Sequence, residues 1–156
     1  MKTASITEIK KDLKHQSPED LQELCLKLAR FKKETKEYLT YLLFEAENED
    51  IFINTVKSEV SVLFQEINQD SYYFVKKSVR KILRLTKKYI RFSKLKQTEV
   101  KLLIHFTNEM LLLKPSIKYN TVLTNIYNKQ IEIAQKAVSQ LHPDLQFDYI
   151  DLLETK

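Results

Sequence analysis

From Ser71 to Leu95 the chain reads SYYFVKKSVRKILRLTKKYIRFSKL. Wound at about 100° per residue, its basic and apolar positions separate onto opposite faces. Lys76, Lys77, Arg80, Lys81, Arg84, Lys87, Lys88, Arg91 and Lys94 fall within one arc of about 140°. Val75, Val79, Ile82, Leu83, Thr86, Tyr89, Ile90 and Ser93 fall opposite. The pattern predicts one long helix with its apolar face buried and its basic face exposed.

The same period, punctuated by capping residues, predicts helices along the rest of the chain. Ser5 with Glu8 makes a capping-box pattern that opens a short helix to about His15, with Ile6, Ile9 and Leu13 as its stripe. Ser17-Pro18-Glu19-Asp20 combines an N-cap residue, a proline of suitable φ and two acids that complement the helix dipole. Leu21, Leu24, Cys25, Leu28 and Phe31 follow as an apolar stripe, and this helix is expected to end near Lys33. A third helix is expected over about Thr35–Glu47, with Asn48 as a left-handed C-cap. Asp50 then caps a fourth, Ile51 to about Ile67, with Phe52, Val56, Val60, Leu63, Phe64 and Ile67 inward. After the basic helix and a connector at Lys94–Gln97, a sixth runs from Thr98 to about Leu113, ended by Pro115. Its inward stripe is Val100, Leu103, Ile104, Thr107, Met110 and Leu111. Ser116 starts a long helix to about Leu141, and His142-Pro143-Asp144 breaks it. Leu145, Phe147, Tyr149, Ile150, Leu152 and Leu153 make the C-terminal tail apolar enough to pack back as a short helix.

These elements define an all-α protein of six to seven antiparallel helices, read as a single domain over 1–156. Short connections place consecutive helices side by side, as stacked hairpins in a HEAT-like array or as a compact bundle. Composition agrees. The 156 residues contain no glycine, which tight hairpins use at positive-φ turn positions and helix arrays can avoid. The absence also excludes chemistry. A P-loop, a GxGxxG dinucleotide turn, an EF-hand loop and a GxSxG nucleophile elbow all need glycine where backbone bends sharply or approaches a ligand.

Charge sharpens the interest of the basic helix. The net charge is +5, yet residues 76–101 hold eleven Lys or Arg and one acid, Glu99. Lys77, Arg84 and Arg91 recur every seven residues and line up over about 21 Å. With Arg80, Lys81, Lys87 and Lys88 they form a stripe able to neutralise phosphates, and Phe74, Leu85 and Phe92 on one shoulder offer apolar or stacking contacts. The competing expectation is a solvated face paired with the chain's own acids, Glu45 to Asp50 or Asp148 and Asp151.

Other chemistry is thin. The acidic cluster Glu45, Glu47, Glu49, Asp50 lacks calcium-loop spacing. His105 and Glu109 share a helix face but have no second His or Cys at ligand spacing, so no metal is expected. Cys25 reads as a core thiol, and Glu59 and Glu66 as a chance carboxylate pair. No catalytic residue, cofactor or small-molecule substrate is expected, and the chain reads as a non-enzyme. Tyr119–Gln130 carries one charge, Lys129. Its outward positions Asn120, Thr121, Thr124, Asn125 and Asn128 suit a partner or self-association interface, which is poor in Lys and Glu at its core.

One cysteine, no leader-like apolar run and no membrane-spanning stretch lead to the expectation of a cytoplasmic location, away from the membrane. The expected function is a helical interaction or scaffold module that binds a protein partner or itself through the concave side of its hairpins. The alternative is sequence-independent nucleic-acid binding through the 76–101 helix and connector.

Overall fold

The computed structural model describes residues 1–154, without the side chains of Asp151, Leu152 and Glu154. The described residues are all-helical, with eight α-helices and no strand. The chain divides into two compact units, Met1–Phe44 and Glu45–Lys156.

The first unit contains α1 (Ile6–Leu13), α2 (Pro18–Phe31) and α3 (Lys33–Thr40). The starts are those that the sequence marks. The Glu8 N–H donates to Ser5 Oγ at 3.3 Å while the Ser5 N–H donates to Glu8 Oε2 at 2.7 Å. Ser17 Oγ accepts from the Asp20 N–H at 3.1 Å, with Pro18 in the first turn. Two departures follow. Lys32 turns extended at φ −148°, so α3 starts two residues early, and a π-helical turn at Tyr41–Glu45 follows it. The apolar stripe of α2 is also uncovered. Cys25 is exposed rather than in a core, as are Leu24, Leu28 and Phe31. The helix that packs on α2 within this unit is α3. Only eight residues long, it contributes half-buried Tyr38 and Leu39 and has too little apolar surface to close the stripe.

The second unit contains α4 (Glu49–Gln65), α5 (Tyr72–Ser93), α6 (Lys96–Leu111), α7 (Thr121–Val138) and α8 (Pro143–Glu154). Asn48 is an N-cap, not the expected C-cap: its Oδ1 accepts from the Ile51 N–H at 3.2 Å, and Asp50 lies inside the first turn of α4. The expected helix from Ser116 to Leu141 is split. Ser116 caps a 3₁₀ turn, Ile117–Tyr119, and Asn120 caps α7 through the Leu123 N–H at 3.2 Å.

The centre of this unit is α6, which packs against α4, α5 and α7. Val100, Leu103 and Ile104 join Ala134, Ala137 and Val138 of α7 and Tyr149 and Leu153 of α8 in one core cluster. On another side Phe106 meets Phe64 of α4 edge-on, ring centroids 5.3 Å apart. Leu102 and Phe106 are therefore buried although they lie off the expected stripe, whereas Leu111 is exposed. A helix covered from three directions belongs to a bundle. Of the two expected architectures, these contacts fit the compact one.

Candidate nucleic-acid interface

The 22-residue helix α5 buries Val75, Val79, Ile82, Thr86 and Phe92. Thr86 sits in that apolar face because its hydroxyl donates to the Ile82 carbonyl at 3.0 Å, satisfying its polar group locally. The helix ends at Lys94, whose φ of 59° is left-handed and whose N–H donates to the Ile90 carbonyl.

Burial of that face turns the basic one outward. Lys77, Arg80, Lys81, Arg84 and Arg91 are exposed, and Lys76, Lys87 and Lys88 half-buried. Among the described residues no carboxylate pairs with Lys76, Lys77, Arg80, Lys81, Arg84 or Lys87. Two of the acids expected as counter-charges have contacts of their own. Asp50 pairs with Lys101 of α6 at 2.9 Å. Glu49 accepts the hydroxyls of Ser93 and Thr98, tying the α5–α6 corner to α4. Glu59 accepts the Tyr89 hydroxyl at 2.9 Å. Asp148 is exposed, and Asp151 lies outside the described side chains.

Lys88 of the expected stripe and Phe92 of its shoulder have structural work. The Lys88 ammonium lies 4.7 Å from the Tyr89 ring centroid and 5.9 Å from that of Phe92, within cation–π range. Phe92, expected on the stacking shoulder, is buried, its ring edge-on to Tyr89 at 5.8 Å. Stacking potential lies instead at the start of the helix. Tyr73 is 65% exposed and packs edge-on against Phe74 at 5.4 Å. Tyr73, Lys76, Lys77, Arg80 and Arg84 line an open cleft of about 440 Å³. The sequence reading placed the four cations on one face and missed Tyr73, although its spacing of three, four and seven residues from Lys76, Lys77 and Arg80 sets it on that same face.

The neutral stretch is partly spent on its own helix. Asn120 is the cap of α7, and the half-buried Thr124 donates its hydroxyl to the Ile117 carbonyl at 3.0 Å. Thr121, Asn125 and Asn128 remain exposed. On the same helix the Tyr127 hydroxyl and Gln130 Oε1 are buried with no hydrogen-bond partner among the described residues. Burial pushes the Tyr127 phenol above its ordinary range.

The His105–Glu109 pair acquires a third member, Ser61 of α4, at 2.9 Å from His105 Nε2 and 2.7 Å from Glu109 Oε1. The residue types resemble those of a serine-hydrolase relay, but the wiring differs. His105 Nε2 also lies 3.0 Å from the Lys57 carbonyl, which can only accept, so Nε2 carries the hydrogen. Ser61 sends its own hydrogen to Glu109. The histidine donates to this network and does not take the serine proton, so the general-base step of such a relay is not assembled. Among the described residues no group of three His, Cys, Asp or Glu is placed to hold a metal ion, and no helix is long and apolar enough to cross a membrane.

Comparison with protein-family models, curated proteins and solved structures finds no match to this chain.

Proposed function

We propose that the chain binds nucleic acid through the phosphate backbone, using the basic face of α5, without reading sequence. The observation that supports this is the row of cations that have no carboxylate partner among the described residues, Lys76, Lys77, Arg80, Lys81, Arg84 and Lys87. Leaving six like charges side by side opposes folding, and a bound polyanion relieves that repulsion. From Lys77 to Arg91 the stripe covers about 21 Å, the rise of roughly six base pairs. Tyr73 at its end offers one ring face to an unpaired base, which favours single strands.

Fluorescence anisotropy with labelled duplex DNA, single-stranded DNA and RNA tests the reading at low and physiological salt. Each phosphate contact contributes about −0.9 to the logarithmic salt slope on duplex DNA, so six contacts cost roughly a thousandfold in affinity between 50 and 200 mM salt. Arg80→Glu/Arg84→Glu reverses two exposed charges that hold no structural contact, and is expected to abolish binding with the fold intact. Absence of binding at low salt retires the proposal.

A second reading, a non-enzymatic interaction module that binds a protein partner or itself, is favoured by a different observation. The first unit leaves the apolar faces of its helices unburied, with Leu28 59% and Phe31 87% exposed.

A further inference from the structure

The charges of α2 are sorted along its length. Glu19, Asp20 and Glu23 precede its midpoint, which falls between Leu24 and Cys25, and Lys27 and Arg30 follow it. Wound at about 100° per residue, Leu21, Leu24, Cys25 and Leu28 share an arc of about 100°, and Asp20 and Lys27 lie together on one flank of it. Leu21 is half-buried and the other three are exposed, so the seam is open along most of its length.

We infer that α2 pairs antiparallel with α2 of a second copy of this chain, about a two-fold axis between Leu24 and Cys25. The inference rests on the interaction-module reading and is independent of phosphate binding. In that arrangement Leu21 of each copy meets Leu28 of the other, and Leu24 meets Cys25. In an antiparallel pair equal flanks face each other, so Asp20 of each copy lies beside Lys27 of the other, twice per dimer. A parallel pair would set the acidic halves side by side and the basic halves likewise. The charge order of the helix selects the antiparallel form. A helix of 14 residues is about 21 Å long, so the joined faces fall well short of the roughly 1,600 Å² of a standard interface. The dimer therefore dissociates on dilution.

The test is sedimentation velocity of the full chain under reducing conditions, from micromolar to millimolar protein, with no nucleic acid present. The expected result is a concentration-dependent shift from monomer to dimer. Leu24→Glu, which removes no buried side chain, should leave the helical circular dichroism intact and abolish the shift. Lys27→Glu should weaken the dimer, and Asp20→Lys/Lys27→Glu should restore it. With added diamide as oxidant, the two Cys25 thiols should lose two protons and two electrons to it. They then join as an intermolecular disulfide, faster at concentrations where the dimer is populated. A dimer indifferent to Leu24→Glu, or one that the double variant fails to restore, overturns this pairing and leaves the interaction-module reading standing. A chain that stays monomeric throughout overturns the pairing and, with it, self-association as the form that module takes.

Discussion

Ser61 on α4 donates its hydroxyl hydrogen to Glu109 on α6, 2.7 Å away, and His105 Nε2 stands 2.9 Å from the same hydroxyl oxygen. The contact joins two helices of the bundle through a polar bridge in a half-buried setting. Burial is the largest influence on His105 and holds its imidazole below the ordinary range, against the upward pull of Glu109. A group whose folded pKa is lowered binds its proton more readily when unfolded, so its share of stability is full above the unfolded value of about 6.5 and falls as the pH drops toward the folded one. The urea midpoint is expected to fall between pH 7.5 and 5.5, and His105→Gln to flatten part of that fall. An identical pH dependence in the variant refutes the assignment to His105.

Lys94 is the described non-glycine residue with positive φ, at 59°. A left-handed conformation costs an L-residue about 1–2 kcal/mol, and glycine avoids that penalty. Lys94→Gly should raise the unfolding free energy by about 1 kcal/mol in urea titration with the m-value unchanged. A destabilised variant would mean that the lysine side chain contributes more than the backbone penalises.

The two units should answer core truncation differently. Phe106 is fully buried and packed on Phe64, so Phe106→Ala is expected to cost about 3–5 kcal/mol. Phe31 is 87% exposed, and Phe31→Ala in dilute protein should change stability by less than about 0.5 kcal/mol. Equal losses at the two positions would contradict the burial described above.

Gln130 is 2% exposed, its side-chain carbonyl without a partner among the described residues and its Nε2 donating to the Ile126 carbonyl at 3.3 Å. An unsatisfied buried acceptor costs about 1–3 kcal/mol. Gln130→Met keeps the volume and removes the acceptor, and is expected to raise the thermal midpoint. A lowered midpoint would show that the amide is held by a group that the bundle needs.

What the sequence made legible follows from the range of each signal. Caps act over three residues, so Ser5, Ser17 and the starts of α1 and α2 were readable directly. The two faces of α5 were readable because the cations form one uninterrupted stripe. Cys25 was misread because periodicity tells which face of a helix seeks cover and not whether a neighbour supplies it. Asn48 was ambiguous between ending one helix and starting the next, and the geometry of its hydrogen bond to the Ile51 N–H decides it. Asp50 looked like a counter-charge for α5 when counted along the chain, yet the bundle turns it toward Lys101 of α6. The break at Lys94 was expected as the start of the connector, but its left-handed backbone was not, since a chain without glycine places an ordinary residue there.

The position of α6 has a consequence for synthesis on the ribosome. When residues 96–111 emerge, α4 and α5 are already made and can cover Phe106 at once. Val100, Leu103 and Ile104 must wait for Ala134, Ala137 and Val138, some thirty residues later along the chain. At about 5–20 residues per second that interval lasts a few seconds. Through it the nascent chain presents an aliphatic ridge that Ile90 of α5 partly covers, a surface prone to aggregation until α7 arrives.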